Sequence, residues 1–119
     1  MPQFKVVGTI IKVIDNKFLI KVDDDYYQIV AAIKESIKDP NTSGHFLGVN
    51  FKRARFDIKN LDWSEPTDLI GVRVTIQCDH NTRNIRQQID VPKEVMNYVS
   101  DYVFKTVISY SARSIQNIQ

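Results

Sequence analysis

Residues 70–78, IGVRVTIQC, alternate without a break: Ile70, Val72, Val74, Ile76 and Cys78 take one side, and Gly71, Arg73, Thr75 and Gln77 take the other. Side chains of an extended chain point to opposite faces in turn, so this stretch reads as a strand with one face in a core and the other toward water. A helix would scatter the same residues around its circumference. The alternation therefore commits the chain to a sheet, and the remaining segments are read for what completes it.

Residues 4–14, FKVVGTIIKVI, are rich in Val and Ile and too short between breakers for a helix. They predict a long first strand, and Gly8 inside it marks a bend that lets one strand serve two sheets or turn a barrel corner. Asp15-Asn16 supplies a tight turn, and Lys17–Val22 alternates again, with Phe18, Ile20 and Val22 on one face. After Asp23-Asp24-Asp25, Tyr26–Val30 is expected as a third strand, closing a meander of three. Ile33 and Ile37, four apart, predict a short helix over 31–38 before Asp39-Pro40.

Residues 45–59, HFLGVNFKRARFDIK, return to strand chemistry, with Val49, Phe51, Arg53 and Arg55 on one face and Asn50, Lys52, Ala54, Phe56 and Ile58 on the other. The loop NLDWSEPTD precedes the 70–78 strand. Asp79–Asn84 reads as a polar turn, and the alternation of Ile85, Ile89 and Val91 with polar residues as a sixth strand. Pro92 suits the first position of a helix, expected to run to about Tyr110. On a helical wheel its apolar residues fill about half the circumference, wider than the ~100° stripe one contact needs. Such a helix either packs on its own barrel and also on another chain, giving a homodimer or higher homo-oligomer, or caps an open barrel end.

Three meandering strands, a helix and two further strands give the order of an OB-fold, a five-stranded Greek-key barrel with a short helix between strands 3 and 4. The expected architecture is mainly β, with an additional strand and a C-terminal α-helix, in a single domain over 1–119. Cys78 is the only cysteine, so the core forms without an intramolecular disulfide. The start, MPQFKVVGTIIKVID, shows no signal-peptide pattern, and no apolar run approaches the ~20 residues that span a bilayer. The expectation is a cytoplasmic protein with no membrane partner.

Net charge is +2, with 16 Lys and Arg against 14 Asp and Glu, but it is unevenly spread. Residues 45–60 carry Lys52, Arg53, Arg55 and Lys59 against Asp57 alone, while residues 61–69 carry Asp62, Glu65 and Asp68 with no cation. In FKRARF the cations interleave with aromatics. Single-stranded nucleic acid is met by this combination, because rings stack on bases and Lys or Arg neutralise phosphates. The candidate interface is Phe51 and one of Tyr26 or Tyr27 for stacking, with Lys52, Arg53, Arg55, Arg73 and Arg86 on phosphates. Arg83 extends this surface if the strands are neighbours. Trp63 either covers the core or grips a base, and Lys12, Lys17 and Lys21 are solvated lysines unless the groove runs past them.

Catalytic chemistry finds little footing. Cys78-Asp79-His80 reads as a buried thiol beside a turn histidine, and Asp23–Asp25 as a turn before it reads as a Mg²⁺ site. Phosphate-loop, nucleophile-elbow and zinc-protease motifs are absent from the sequence. No metal, cofactor or catalytic residue is expected.

The strand order, the FKRARF segment and the length together resemble phage-encoded single-stranded-DNA-binding proteins with an OB fold, of the lactococcal-phage type. The resemblance implies a non-enzymatic, sequence-tolerant protein of replication or recombination that coats single-stranded DNA, or RNA, as an oligomer. Bacterial relatives of that family end in an acidic tip that recruits partner enzymes. SARSIQNIQ carries Arg113 and no acid, a departure from the family's pattern, so recruitment through such a tip is not expected. The alternative function is an OB-like assembly module acting through the C-terminal helix, and a third reading is a metal-dependent nuclease using Asp23–Asp25.

Overall fold

The computed structural model describes residues 3–118. β1 (Gln3–Ile14) and β2 (Lys17–Val22) form a hairpin across Asp15-Asn16, with Asp15 left-handed at φ 51, a conformation Asp tolerates. Phe18, Ile20 and Val22 are buried, as their alternation requires. The first correction follows. Tyr26–Val30 is not a strand: Tyr26 caps α1 (Tyr27–Ser36), whose buried residues Val30 and Lys34 lie four apart. A short apolar run bounded by turn residues fits strand and helix alike, and here burial at helical spacing decides it. The helix ends at Ile37, with Lys38 left-handed at φ 61, so it lies one strand earlier than expected.

β3 (Phe46–Asn50) and β4 (Arg55–Asp57) replace the single strand expected over 45–59. Between them the Asn50 side-chain oxygen accepts the Lys52 N–H at 2.9 Å, and the Phe51 carbonyl accepts the Ala54 N–H at 3.0 Å. This Asx-type turn resets the phase, so Val49 and Phe51 point inward before it and Ala54, Phe56 and Ile58 pack on the core after it.

β5 (Arg73–Gln88) buries Val74, Ile76 and Cys78 completely, as the alternation demanded, while Ile70 and Val72 precede the strand and Ile70 is exposed. Asp79–Asn84 is no turn. The strand runs straight through it, and the sixth strand expected after it is its second half. Nor is there a helix over 92–110: a short 3-10 turn at Lys93–Val95 leads into β6 (Tyr102–Asn117). An apolar set spilling over half a helical wheel is what a run without helical period produces, and VFKTVISY is dominated by β-branched and aromatic residues. The assembly module acting through that helix loses its basis.

The sheet order is β3-β2-β1-β5-β6-β4, and Asn50 pairs with Ser111 so that β3 also meets β6. The six-stranded sheet thus partly closes into a ring through five of its strands, β1-β2-β3-β6-β5, with β4 on β6. β1 serves both sides, pairing with β5 over Gln3–Thr9 and with β2 over Gly8–Ile14. Gly8 sits where the two pairings overlap, and a Cβ there would meet the Lys21 carbonyl oxygen at 2.5 Å. Val6, Ile10, Phe18, Ile20, Leu69 and Ile115 fill the interior.

Beyond His80 and Tyr110, β5 and β6 leave the ring as a two-stranded arm, paired from Asn81–Ser109 to Gln88–Tyr102. The molecule measures 64 × 31 × 23 Å, its long dimension set by this arm. No helix among the described residues is long and apolar enough to cross a membrane.

Candidate nucleic-acid interface

A groove of about 470 Å³ opens where the arm leaves the barrel. Three structural decisions build it. The β2–β3 register sets Lys17 beside Asn50, the Asx turn projects Lys52 and Arg53, and the β5–β6 register lays Asn81 and Arg83 against Ser109 and Val107. Four cations line the groove together with Asn50, Asn81, Ser109 and Ser111, and no acid does. A neighbouring depression holds Asp79, buried, but the Arg113 Nε donates to its carboxylate at 2.6 Å and offsets its charge. Cationic and amide donors at close spacing, with apolar Val107 and Ile108 between them, suit a polyanion whose phosphates alternate with flat bases.

The opposite end of the barrel has the opposite sign. An open hollow of about 490 Å³ is lined by Thr9, Lys21, Val22 and Asp23–Asp25. Arg73 lies there, its Nε donating to Asp23 at 2.8 Å. From Arg73 to Arg83 is ten residues of strand, about 33 Å, so Arg73 does not join the groove.

Of the residues expected at the interface, the structure brings Lys52, Arg53 and the conditional Arg83 together, with Lys17 beside them, and disperses the rest. Phe51 is a correction: only 8% exposed, it stacks on Phe18 with ring centroids 4.2 Å apart, and no base reaches its face. Tyr26 and Tyr27 do not alternate across a strand. Both sit half-buried at the start of α1, Tyr26 with the Lys5 amine 6.0 Å from its ring and Tyr27 stacked on His45 at 4.8 Å. Trp63 packs on Phe56 at 5.2 Å and covers the core. Arg55 is exposed on β4, in register with Ser114 and outside the groove lining. Arg86 is on the arm, its guanidinium carbon 3.8 Å from the Tyr102 ring centroid, and Phe104 meets Tyr102 edge-on at 5.6 Å.

Lys17 and the groove amides carried no signal of their own, because what makes them a site is pairing between distant strands. Tyr102 and Phe104 were hidden by the helix assignment. Read as a strand, their period-two spacing puts them on one face with Arg86.

Cys78, fully buried, has its thiol pushed up to about 12 by burial, with the Asp79 charge adding to it, so it is a protonated core residue at neutral pH. Among the described residues no three His, Cys, Asp or Glu side chains converge as metal ligands. Comparison with family models, curated proteins and solved structures finds no match to this chain.

Proposed function

We propose that this chain binds single-stranded nucleic acid without sequence specificity, using the groove at the root of the arm, and performs no catalysis. The observation that carries the reading is a groove with four cations and no acid in a chain of net charge only +2. The fold supports it. The ring order β1-β2-β3-β6-β5 matches the strand order of an OB barrel if β6 and β5 stand for that barrel's last two strands, with α1 displaced between β2 and β3. OB barrels bind oligonucleotides on the face of their second and third strands and on the loops that join strands one to two and four to five. Lys17 stands at the first of those loops, and the arm is the second, enlarged. The resemblance to phage-encoded single-stranded-DNA-binding proteins points the same way and suggests replication or recombination as the setting. Lys17, Lys52, Arg53 and Arg83 are the phosphate contacts. Phe51 and Arg73, buried and ion-paired, are not part of the site.

The test is anisotropy of labelled oligo-dT, oligo-U and duplex DNA at several salt concentrations. Oligo-dT affinity should fall with a log–log slope near −0.7 per phosphate contact, about −3 for four cations. Duplex DNA should bind more weakly. Absence of oligo-dT and oligo-U binding at low salt overturns the proposal, and preference for oligo-U reassigns it to RNA.

A further inference from the structure

The arm is a ribbon of two strands exposed on both faces, an arrangement that is marginal in water without a third strand or a covering layer. Its two edges differ. The Ile89 N–H donates to the Asp101 carbonyl at 2.9 Å, which fixes the alternation of the antiparallel ladder. By that alternation Gln87–Val103, Ile85–Lys105 and Arg83–Val107 exchange hydrogen bonds, and Tyr102, Phe104, Thr106 and Ile108 turn their N–H and C=O groups outward. Among the described residues these outward groups have no strand beside them, since β3 meets β6 only at Ser111 and β4 only from Ser114 onward. The β5 edge is polar, with Thr82, Asn84, Arg86 and Gln88 at its outward positions. The β6 edge, YVFKTVIS, has one charge, no Pro, no Gly and no bulge over 102–109, and lacks the devices that keep strand edges from pairing. Phe104 is 67% exposed and Val103 45%.

We propose that the β6 edge of the arm pairs with the same edge of a second copy of this chain, in antiparallel register about Phe104, making a four-stranded sheet across the dimer. The occupant is a second copy because the edge is self-complementary. With Phe104 opposite Phe104 of the other copy, Tyr102 faces Thr106 and Lys105 faces Val103, so the only charge of the 102–109 edge escapes its twin. A shift by one position on each strand would set Lys105 on Lys105, which is unfavourable directly across a ladder. The chosen register gives about six inter-chain backbone hydrogen bonds and removes two unprotected edges at once. Antiparallel arms also carry each tip, where Val95, Met96, Tyr98 and Val99 are exposed, to the root of the partner's arm. That adds apolar area toward the ~800 Å² per partner a stable pair needs.

The experiment uses the full chain without nucleic acid. Sedimentation from low to high micromolar concentration should give twice the chain mass. Thr106→Pro removes an N–H that faces outward, so it spares the β5–β6 ladder while blocking the new one. It should give a monomer with an unchanged circular dichroism spectrum. Phe104→Lys, which puts like charges on the axis, should do the same where the proline disturbs folding. In a Cys78→Ala background, Phe104→Cys should form a disulfide-linked dimer on mild oxidation, because bonded cross-strand pairs lie ~5.5 Å apart between Cα atoms. Gln88→Cys on the other edge should not. A monomer at every concentration overturns the proposal, as does a dimer that survives both Thr106→Pro and Phe104→Lys. Oligo-dT binding is read separately, so a failure of the groove and a failure of the dimer are distinguishable.

Discussion

β5 and β6 are each a single strand of 16 residues, yet their two halves obey different rules. In the barrel half, Val74, Ile76, Cys78 and Ile115 are wholly buried, and position is decided by which face meets the core. In the arm half no such face exists, and position is decided by the cross-strand partner: Arg86 by Tyr102, Thr106 by Asn84 through a 3.0 Å hydrogen bond. Burial writes itself into sequence as alternation, whereas pairing between two solvated strands leaves almost no periodic trace.

The largest test of this contrast truncates one phenylalanine in the core that the first half packs on and one in the arm. Phe51 stacks on Phe18 and meets Phe56 edge-on, so Phe51→Ala should cost about 3–5 kcal/mol through lost transfer energy and a cavity. Phe104→Ala should stay within about 0.5 kcal/mol, because an exposed ring leaves no cavity behind. Urea unfolding at a concentration too low for arms to pair measures both. Equal costs would mean that the arm packs on something as the barrel does.

That division explains what was legible. The strand alternations of β2 and β5 are readable because a core lies on one side of each, and β1 does serve two neighbours around Gly8, although its register shift falls at Ile10–Lys12. The 92–110 segment was not, because an apolar run with solvent on both faces shows neither a strand period nor a helical one. Phe51 misled for a local reason. Alternation continued through Asn50–Ala54, where the chain turns, puts a core residue on one face with Arg53 and Arg55. At the site, Lys52 and Arg53 were visible as local charge. Lys17 and Arg83 reach them only through the β2–β3 and β5–β6 registers, which charge counts do not contain.

The next test is alkaline titration of the barrel half. Burial holds the Cys78 thiol protonated up to about 12, while the unfolded thiol ionises at the ordinary value of 9.0. Above pH 9 the unfolded state therefore binds fewer protons than the folded one, and folding stability falls as pH rises from about 9 toward 12. The loss is roughly 1.4 kcal/mol per pH unit, reaching on the order of 4 kcal/mol. Tyr110, also held above its usual value by burial and by its hydrogen bond to Asp39, steepens the fall. Cys78→Ala should lower stability at pH 7 by leaving a small cavity, and flatten the slope above pH 9. An unchanged slope would place Cys78 in contact with water.

The smallest effects separate the two ends of the barrel. Arg53→Gln removes one of four groove cations, so the oligo-dT salt slope should drop by about 0.7 and affinity should fall at low salt. Arg73→Gln removes the same charge from the whole molecule but from the acidic end, where Asp23 already holds it. Its effect on stability should be small, because a solvent-exposed ion pair is screened by water and salt. Its effect on the salt slope should be nil. Net charge falls equally in the two variants, so a general attraction between a weakly basic protein and DNA predicts equal losses. Unequal losses, with Arg53 the larger, localise the polyanion to the arm root. Equal losses would mean that the long-range field, and not the groove, attracts the strand.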